Sequence, residues 1–251
     1  MIAHHRFDGP PDAPVIVLGP SLGTTLGLWE PQLAALTRTW RVLRYDLPGH
    51  GGSPAVPGVT VEGLAALVLD LLDRYGLARV AYAGVSLGGA IGATLAADAP
   101  GRIAALALVC GSARFGPPEG WHERAALVRR EGMEPVAATA AGRWFTPGFP
   151  GAGPYLAMLR GTDPEGYAAC CEALAAYDLR DRLGEVAAPT LVVAGEQDPA
   201  TPPGHGRILA AGIPSAELLV VPGAAHLAGA ERPGAVTEAL VRHFEKHWRT
   251  A

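Results

Sequence analysis

Ser86, Asp198 and His226 are the side chains whose types and placing could carry covalent chemistry. A serine hydroxyl is a poor nucleophile at neutral pH; it needs a base to take its proton and an acid to hold that base in the right tautomer. Ser86 lies in Gly84-Val85-Ser86-Leu87-Gly88, a Gly-x-Ser-x-Gly pattern followed by Gly89. Residues 79–83 before it have strand character, and 90–97 after it are small and helical. At a strand-to-helix turn this pattern makes a sharp, strained elbow whose flanking positions must lack a Cβ.

The acid and base follow in chain order. An apolar run at 189–195 leads into Glu196-Gln197-Asp198-Pro199, and another at 216–223 leads into Ala224-Ala225-His226. In an open parallel sheet the loops at the carboxyl ends of strands share one edge, so the three residues can meet there. Each alone has a plain structural reading: a Gly/Ser turn, a turn aspartate before Pro199, a loop histidine. The joint order points to nucleophilic hydrolysis. Glu196 is the competing acid, closer to its strand, and Asp46 is assigned to the turn Asp46-Leu47-Pro48-Gly49-His50-Gly51. An oxyanion needs two N–H donors. Leu87, just after the serine, is expected to supply one, and Leu22, in the loop after the first buried strand, the other. His50, His122 and His205 read as solvated or turn histidines, Cys110 as core, and the Cys170-Cys171 pair lacks a local base.

Strands that must carry these loops alternate with helices. Continuous apolar runs at 13–20 and 103–110, with 41–48 between them, read as strands of a parallel sheet. Helices are expected at 28–36, at 60–75 with Thr60 as cap, and at 233–248. From 113 to 183 the rhythm changes to Gly, Pro and aromatic clusters between helical patterns at 121–130 and 167–176, without a strand. That stretch is too long for a loop. The reading is one α/β core, residues 1–112 and 184–251, with a helical cap inserted at 113–183.

A chain of 251 residues, 49% hydrophobic, buries a sizeable core. A net charge of −4 with interspersed signs excludes a nucleic-acid footprint and a polybasic membrane patch, so the expected partner is a small molecule. The oligomeric state stays open. Three cysteines without metal-ligand spacing imply a reducing compartment, no structural zinc and a cytoplasmic location. Residues 1–8 lack the apolar core of a signal peptide. The uncharged run 80–97 is dominated by Gly, Ser and Ala and reads as soluble core rather than membrane span.

On these residues the chain resembles the α/β-hydrolases over nearly its whole length, and within them the 3-oxoadipate enol-lactonases of aromatic-compound breakdown. The general features are Asp46 to Ser53, the elbow, Gly195-Glu196-Gln197-Asp198 and Gly223-Ala224-Ala225-His226, which many esterases share. More specific are Ser21-Leu22-Gly23-Thr24, where most relatives carry a His-Gly pair, then Arg143-Trp144-Phe145-Thr146-Pro147, the stretch 166–174, and Asp178-Leu179-Arg180. Tyr177 and the alanines at 173–176 depart from the usual polar stretch.

The resemblance implies an α/β-hydrolase fold, with a mostly parallel central sheet flanked by helices. It implies an acyl-enzyme on Ser86, relay through Asp198 and His226, Leu22 and Leu87 as oxyanion donors, and no cofactor or metal. The carboxymuconolactone decarboxylase fused to some members is not expected here. It also implies a lactone bearing a free carboxylate, which under a lid requires a cation. Among Arg114, Arg124, Arg129, Arg130, Arg143 and Arg160, Arg143 is chosen because it adjoins Trp144 and Phe145; Arg160 and Arg130 come next. Two alternatives stay open: a general carboxylesterase or cofactor-free perhydrolase with a neutral, wider pocket, and a non-catalytic small-molecule receptor. A haloalkane dehalogenase is excluded, because it needs a carboxylate where Ser86 stands.

Overall fold

A computed structural model describes residues 3–248; the outermost ends of the expected core segments, residues 1–2 and 249–251, lie outside the described residues. In chain order the elements are β1 His5–Asp8, β2 Val15–Gly19, α1 Glu30–Leu36 after a 3-10 turn Leu26–Trp29, β3 Arg41–Tyr45, α2 Val61–Arg74, β4 Val80–Val85, α3 Leu87–Asp98 and β5 Ile103–Val109. Four helices follow: α4 Pro118–Glu131, α5 Glu134–Trp144, α6 Gly153–Arg160 and α7 Pro164–Ala176. A 3-10 turn Arg180–Glu185 leads back to β6 Thr190–Gly195, α8 Pro203–Gly212, β7 Ala216–Val221, α9 Ala228–Glu231 and α10 Pro233–His247.

The sheet runs β1-β3-β2-β4-β5-β6-β7, with β1 antiparallel to β3 and every other pair parallel. Strands β2, β4, β5 and β6 are buried throughout, which is why they read as unbroken apolar runs. Helix α3 is buried from Leu87 to Ala96 on all sides, so its sequence is small and apolar without an amphipathic period. The polar N-terminal stretch forms β1: His5–Asp8 is a partly exposed edge strand with no apolar alternation. The membrane-span exclusion stands in narrower form, since no described helix is long and apolar enough to cross a bilayer.

Register places the chemistry. Gly19 pairs with Gly84, Val85 with Val109, Val109 with Val193, and Gly195 with Val221. The carboxyl ends of β2, β4, β5, β6 and β7 therefore finish at one level, and their exit loops open on the same edge. The helices between β5 and β6 cover that edge. Their footing is the turn after β3: Asp163 N–H donates to the Gly49 carbonyl at 2.8 Å. Gly49 and Gly166 approach so closely that a Cβ on Gly49 would lie 2.5 Å from the Gly166 Cα.

Candidate active site

Ser86 follows β4 and opens α3 at φ +54°, ψ −112°, a left-handed conformation that an L-residue adopts only under constraint. The constraint is close packing on both sides. A Cβ at Gly84 would lie 2.2 Å from the Gly88 carbonyl carbon, and one at Gly88 2.5 Å from the Gly19 oxygen. Tyr82, on β4, donates its buried hydroxyl to the Gly88 carbonyl at 2.9 Å and pins the first turn of α3 to the sheet.

The structure brings Asp198 and His226 together: His226 Nδ1 lies 2.8 Å from Asp198 Oδ2, both groups being buried. Asp198 is fixed by its own turn. Oδ1 accepts from the Ala200 and Thr201 N–H groups at 2.8 and 3.0 Å, and the Thr201 hydroxyl sits 2.6 Å from Oδ2. Burial raises the Asp198 pKa, but the His226 charge and the bonds from His226 and Thr201 outweigh it and hold the carboxyl below its ordinary range. An ionised Asp198 keeps the proton on Nδ1, leaving Nε2 as the basic nitrogen. Glu196 is exposed and accepts instead from the Gly223 N–H at 3.0 Å.

Cys110 follows β5 at φ +47°, and its carbonyl oxygen lies 2.9 Å from the Thr201 hydroxyl, so its place is beneath the acid. Burial pushes its thiol pKa well up, and likewise those of Cys170 and Cys171, which disfavours the thiolate form in all three.

Among the loop groups named from sequence, Leu87 is the first residue of α3 and Leu22 lies in the loop after β2. Thr24 N–H in that loop is tied back to the Ser21 carbonyl. Gly23 N–H is held by His50 Nε2 at 3.0 Å. His50 is a turn histidine, as expected, but not a solvated one. It is fully buried, and its Nδ1 meets the Pro48 carbonyl at 2.9 Å. An N–H can only donate, so Nε2 must accept and Nδ1 must carry the proton. Burial drives the His50 pKa down to about 4 against the weaker pull of Asp46 and Asp163, which keeps this neutral tautomer. Asp46 braces the same region, accepting from the Leu26 and Gly52 N–H groups at 2.7 and 3.0 Å.

A cavity of about 300 Å³ is lined by Ser21, Leu22, Ser86, Thr201 and His226 from the sheet edge and by Phe115, Trp121, Arg124, Arg143, Trp144 and Tyr167 from the segment between β5 and β6. Arg143 and Trp144 thus do reach the site. So does Arg124, on α4, which sequence reasoning named among the arginines without choosing. Its guanidinium lies over the Trp121 ring at 4.7 Å. The other cap arginines are occupied: Arg160 by Glu134, Arg130 by Glu131, Arg129 by Glu165 and Glu172, and Arg114 by Asp178 at 3.9 Å. Arg180 and Arg182 pair with acids as well. Among the described residues neither Arg124 nor Arg143 has a carboxylate within 4.0 Å. Burial, and then the like charge of Arg124, lower the Arg143 pKa, so these two cations stand together without an anion. No grouping of His, Cys, Asp and Glu among the described residues could hold a metal ion.

Comparison with known proteins fits this geometry. A family model for the alpha/beta hydrolase fold matches residues 14–141 and 146–233. The chain is 37% identical to 3-oxoadipate enol-lactonase 2 of Acinetobacter baylyi, covering 94% of this chain and 91% of that protein. It is 34% identical to 3-oxoadipate enol-lactonase 1 of the same organism, over 91% and 87%. The crystal structure of the enol-lactonase from Burkholderia xenovorans LB400 superposes with a TM-score of 0.93 at 42% identity, covering 96% of each chain. Match, sheet order and elbow agree: the chain belongs to the alpha/beta hydrolase family and resembles the enol-lactonases within it.

Proposed function

We propose that this carboxylic ester hydrolase opens a small enol-lactone bearing a free carboxylate, such as 3-oxoadipate enol-lactone, through an acyl-enzyme on Ser86. The observation that carries the reading is that Arg124 and Arg143, neither with a carboxylate partner among the described residues, line one cavity with Ser86 and His226. A neutral ester gives such a pair nothing to bind, whereas a carboxylate relieves its repulsion and accepts bidentate hydrogen bonds. Aromatic Trp121, Trp144 and Tyr167 suit a small, flat ring beside those charges.

In this mechanism Ser86 Oγ attacks the lactone carbonyl while its proton passes to His226 Nε2, and Asp198 stabilises the imidazolium. The N–H groups of Leu22 and Leu87 receive the oxyanion; the loop held by His50 and the start of α3 place them. As the tetrahedral intermediate collapses, the ring C–O bond breaks and the enol oxygen takes the proton from His226. The enol tautomerises to the ketone while still attached through its acyl carbon. Water, deprotonated by His226, then attacks the acyl-enzyme and frees Ser86. Residues 113–183 act as the cap that closes over this chemistry on a core of 1–112 and 184–251, excluding bulk water.

The test compares kcat/KM for 3-oxoadipate enol-lactone with that for a neutral p-nitrophenyl ester of similar size. Arg143→Ala costs about 2–3 kcal/mol on the lactone, the range for a lost charged hydrogen bond, and changes the neutral ester little. Arg124→Ala behaves alike. Equal losses on both substrates would assign the arginines to packing and remove the case for an acidic substrate.

A further inference from the structure

Glu231 closes α9 and is buried, yet no lysine, arginine or histidine lies within 4.0 Å of its carboxylate among the described residues. Its partners are donors from two separate parts of the fold. Oε1 accepts from the Thr146 N–H at 2.9 Å and from the Thr146 hydroxyl, just beyond the end of α5. Oε2 accepts from the Ala225 N–H at 2.8 Å, one residue before His226. On the other side of His226, the Leu227 N–H donates to the Trp144 carbonyl at 3.0 Å. The histidine loop, residues 225–227, is therefore laced to residues 144–146, directly after Arg143.

A buried carboxylate without a cation is costly, and it persists where something requires an acceptor on both oxygens. Here three donors converge on the two oxygens of one carboxyl group. An amide cannot replace it, because its NH₂ would face an N–H wherever it pointed. We infer that Glu231 is a positioning residue that locks the base-bearing loop and the arginine-bearing end of α5 into one register. Through it the distance between the anion-binding guanidinium and His226 is held constant, so that a carboxylate seated on Arg143 delivers its carbonyl to Ser86. This inference rests on the anion site proposed above. It adds a residue outside the cavity, since Glu231 lines no part of it.

The clamp has two arms that separate experimentally. Thr146→Val removes only the hydroxyl arm toward the helices and keeps the backbone bond. It raises KM for the carboxylate-bearing lactone about tenfold and moves kcat on a neutral ester by less than twofold, in line with charged hydrogen bonds and outer-shell partners elsewhere. Glu231→Gln releases both arms, so kcat on the neutral ester also falls about tenfold, through displacement of His226. In an Arg143→Met background, Thr146→Val has no further effect on KM for the lactone, because the guanidinium that the clamp positions is gone and Arg124 stands on α4, which the clamp does not hold. A Thr146→Val protein with unchanged KM on both substrates, or with equal changes on both, overturns the clamp. If Arg143→Met alone leaves the lactone preference intact, the anion-site reading fails instead, independently of the clamp. Should Glu231→Gln not fold, the Thr146 series still decides.

Discussion

His50 makes the stability of this protein depend on pH in a calculable way. Protonation of Nε2 would set a donor against the Gly23 N–H 3.0 Å away, in a fully buried turn. The folded pKa of about 4 lies below the ordinary 6.5, so folding favours the neutral ring. The sign follows: this contribution is complete above about pH 6.5 and is lost as the pH falls toward 4, because the unfolded chain binds the proton first. With about 1.36 kcal/mol per pKa unit, the displacement from 6.5 to about 4 amounts to about 3 kcal/mol in full, of which about 2 kcal/mol is gone between pH 7 and pH 5. Urea denaturation at those two pH values measures it. His50→Gln keeps an acceptor for Gly23 but cannot titrate, so its stability drops by about 2 kcal/mol less than that of the parent over this interval. His243, also pushed down to about 4 by burial, titrates in both proteins and cancels in the difference. Parallel losses in the two proteins would refute the neutral, accepting role assigned to Nε2.

Two further outcomes follow from the site. Ser86→Ala, shown folded by near-ultraviolet circular dichroism, retains less than about a hundredth of the parent turnover, since losing the nucleophile of a triad costs orders of magnitude; a larger residue of activity would move the nucleophile elsewhere. Arg143→Met raises the thermal midpoint while lowering activity on an anionic lactone, because a half-buried cation facing Arg124 costs stability; a gain of about 0.5–1 kcal/mol by calorimetry is expected, and a loss would mean the guanidinium is a packing element.

Much of this arrangement is legible from the chain because its signals are local. The elbow needs Gly84 and Gly88 within two residues of Ser86; Asp198 lies just past β6, which is buried throughout, and His226 just past β7, an apolar edge strand that is only partly buried. Edge strand β1 carried no such signal, since a strand paired on one side only does not need an apolar pattern. Helix α8, with Pro203 at its start and small residues along it, likewise shows little apolar period in sequence. His50 kept its role hidden because its partner lies 27 residues away in another loop, and a buried histidine and a solvated one are written with the same letter.

The cap arginines show where sequence reasoning stops and why. Eight arginines lie between residues 113 and 183, and nothing in their immediate neighbours separates them. What separates them is the assembly of helices. Arg129, on α4, is neutralised by Glu165 and Glu172 of α7, and Arg160, on α6, by Glu134 of α5. Arg124 shares α4 with Arg129 but faces the opposite way, onto Trp121 and the cavity. A surface ion pair contributes little to stability, so these pairings do not hold the helices in place. Among the described cap arginines they leave two without an acid, Arg124 and Arg143, both lining the cavity that holds Ser86. On the proposed reading, specificity then depends less on which charges the chain contains than on which ones the fold leaves without a carboxylate.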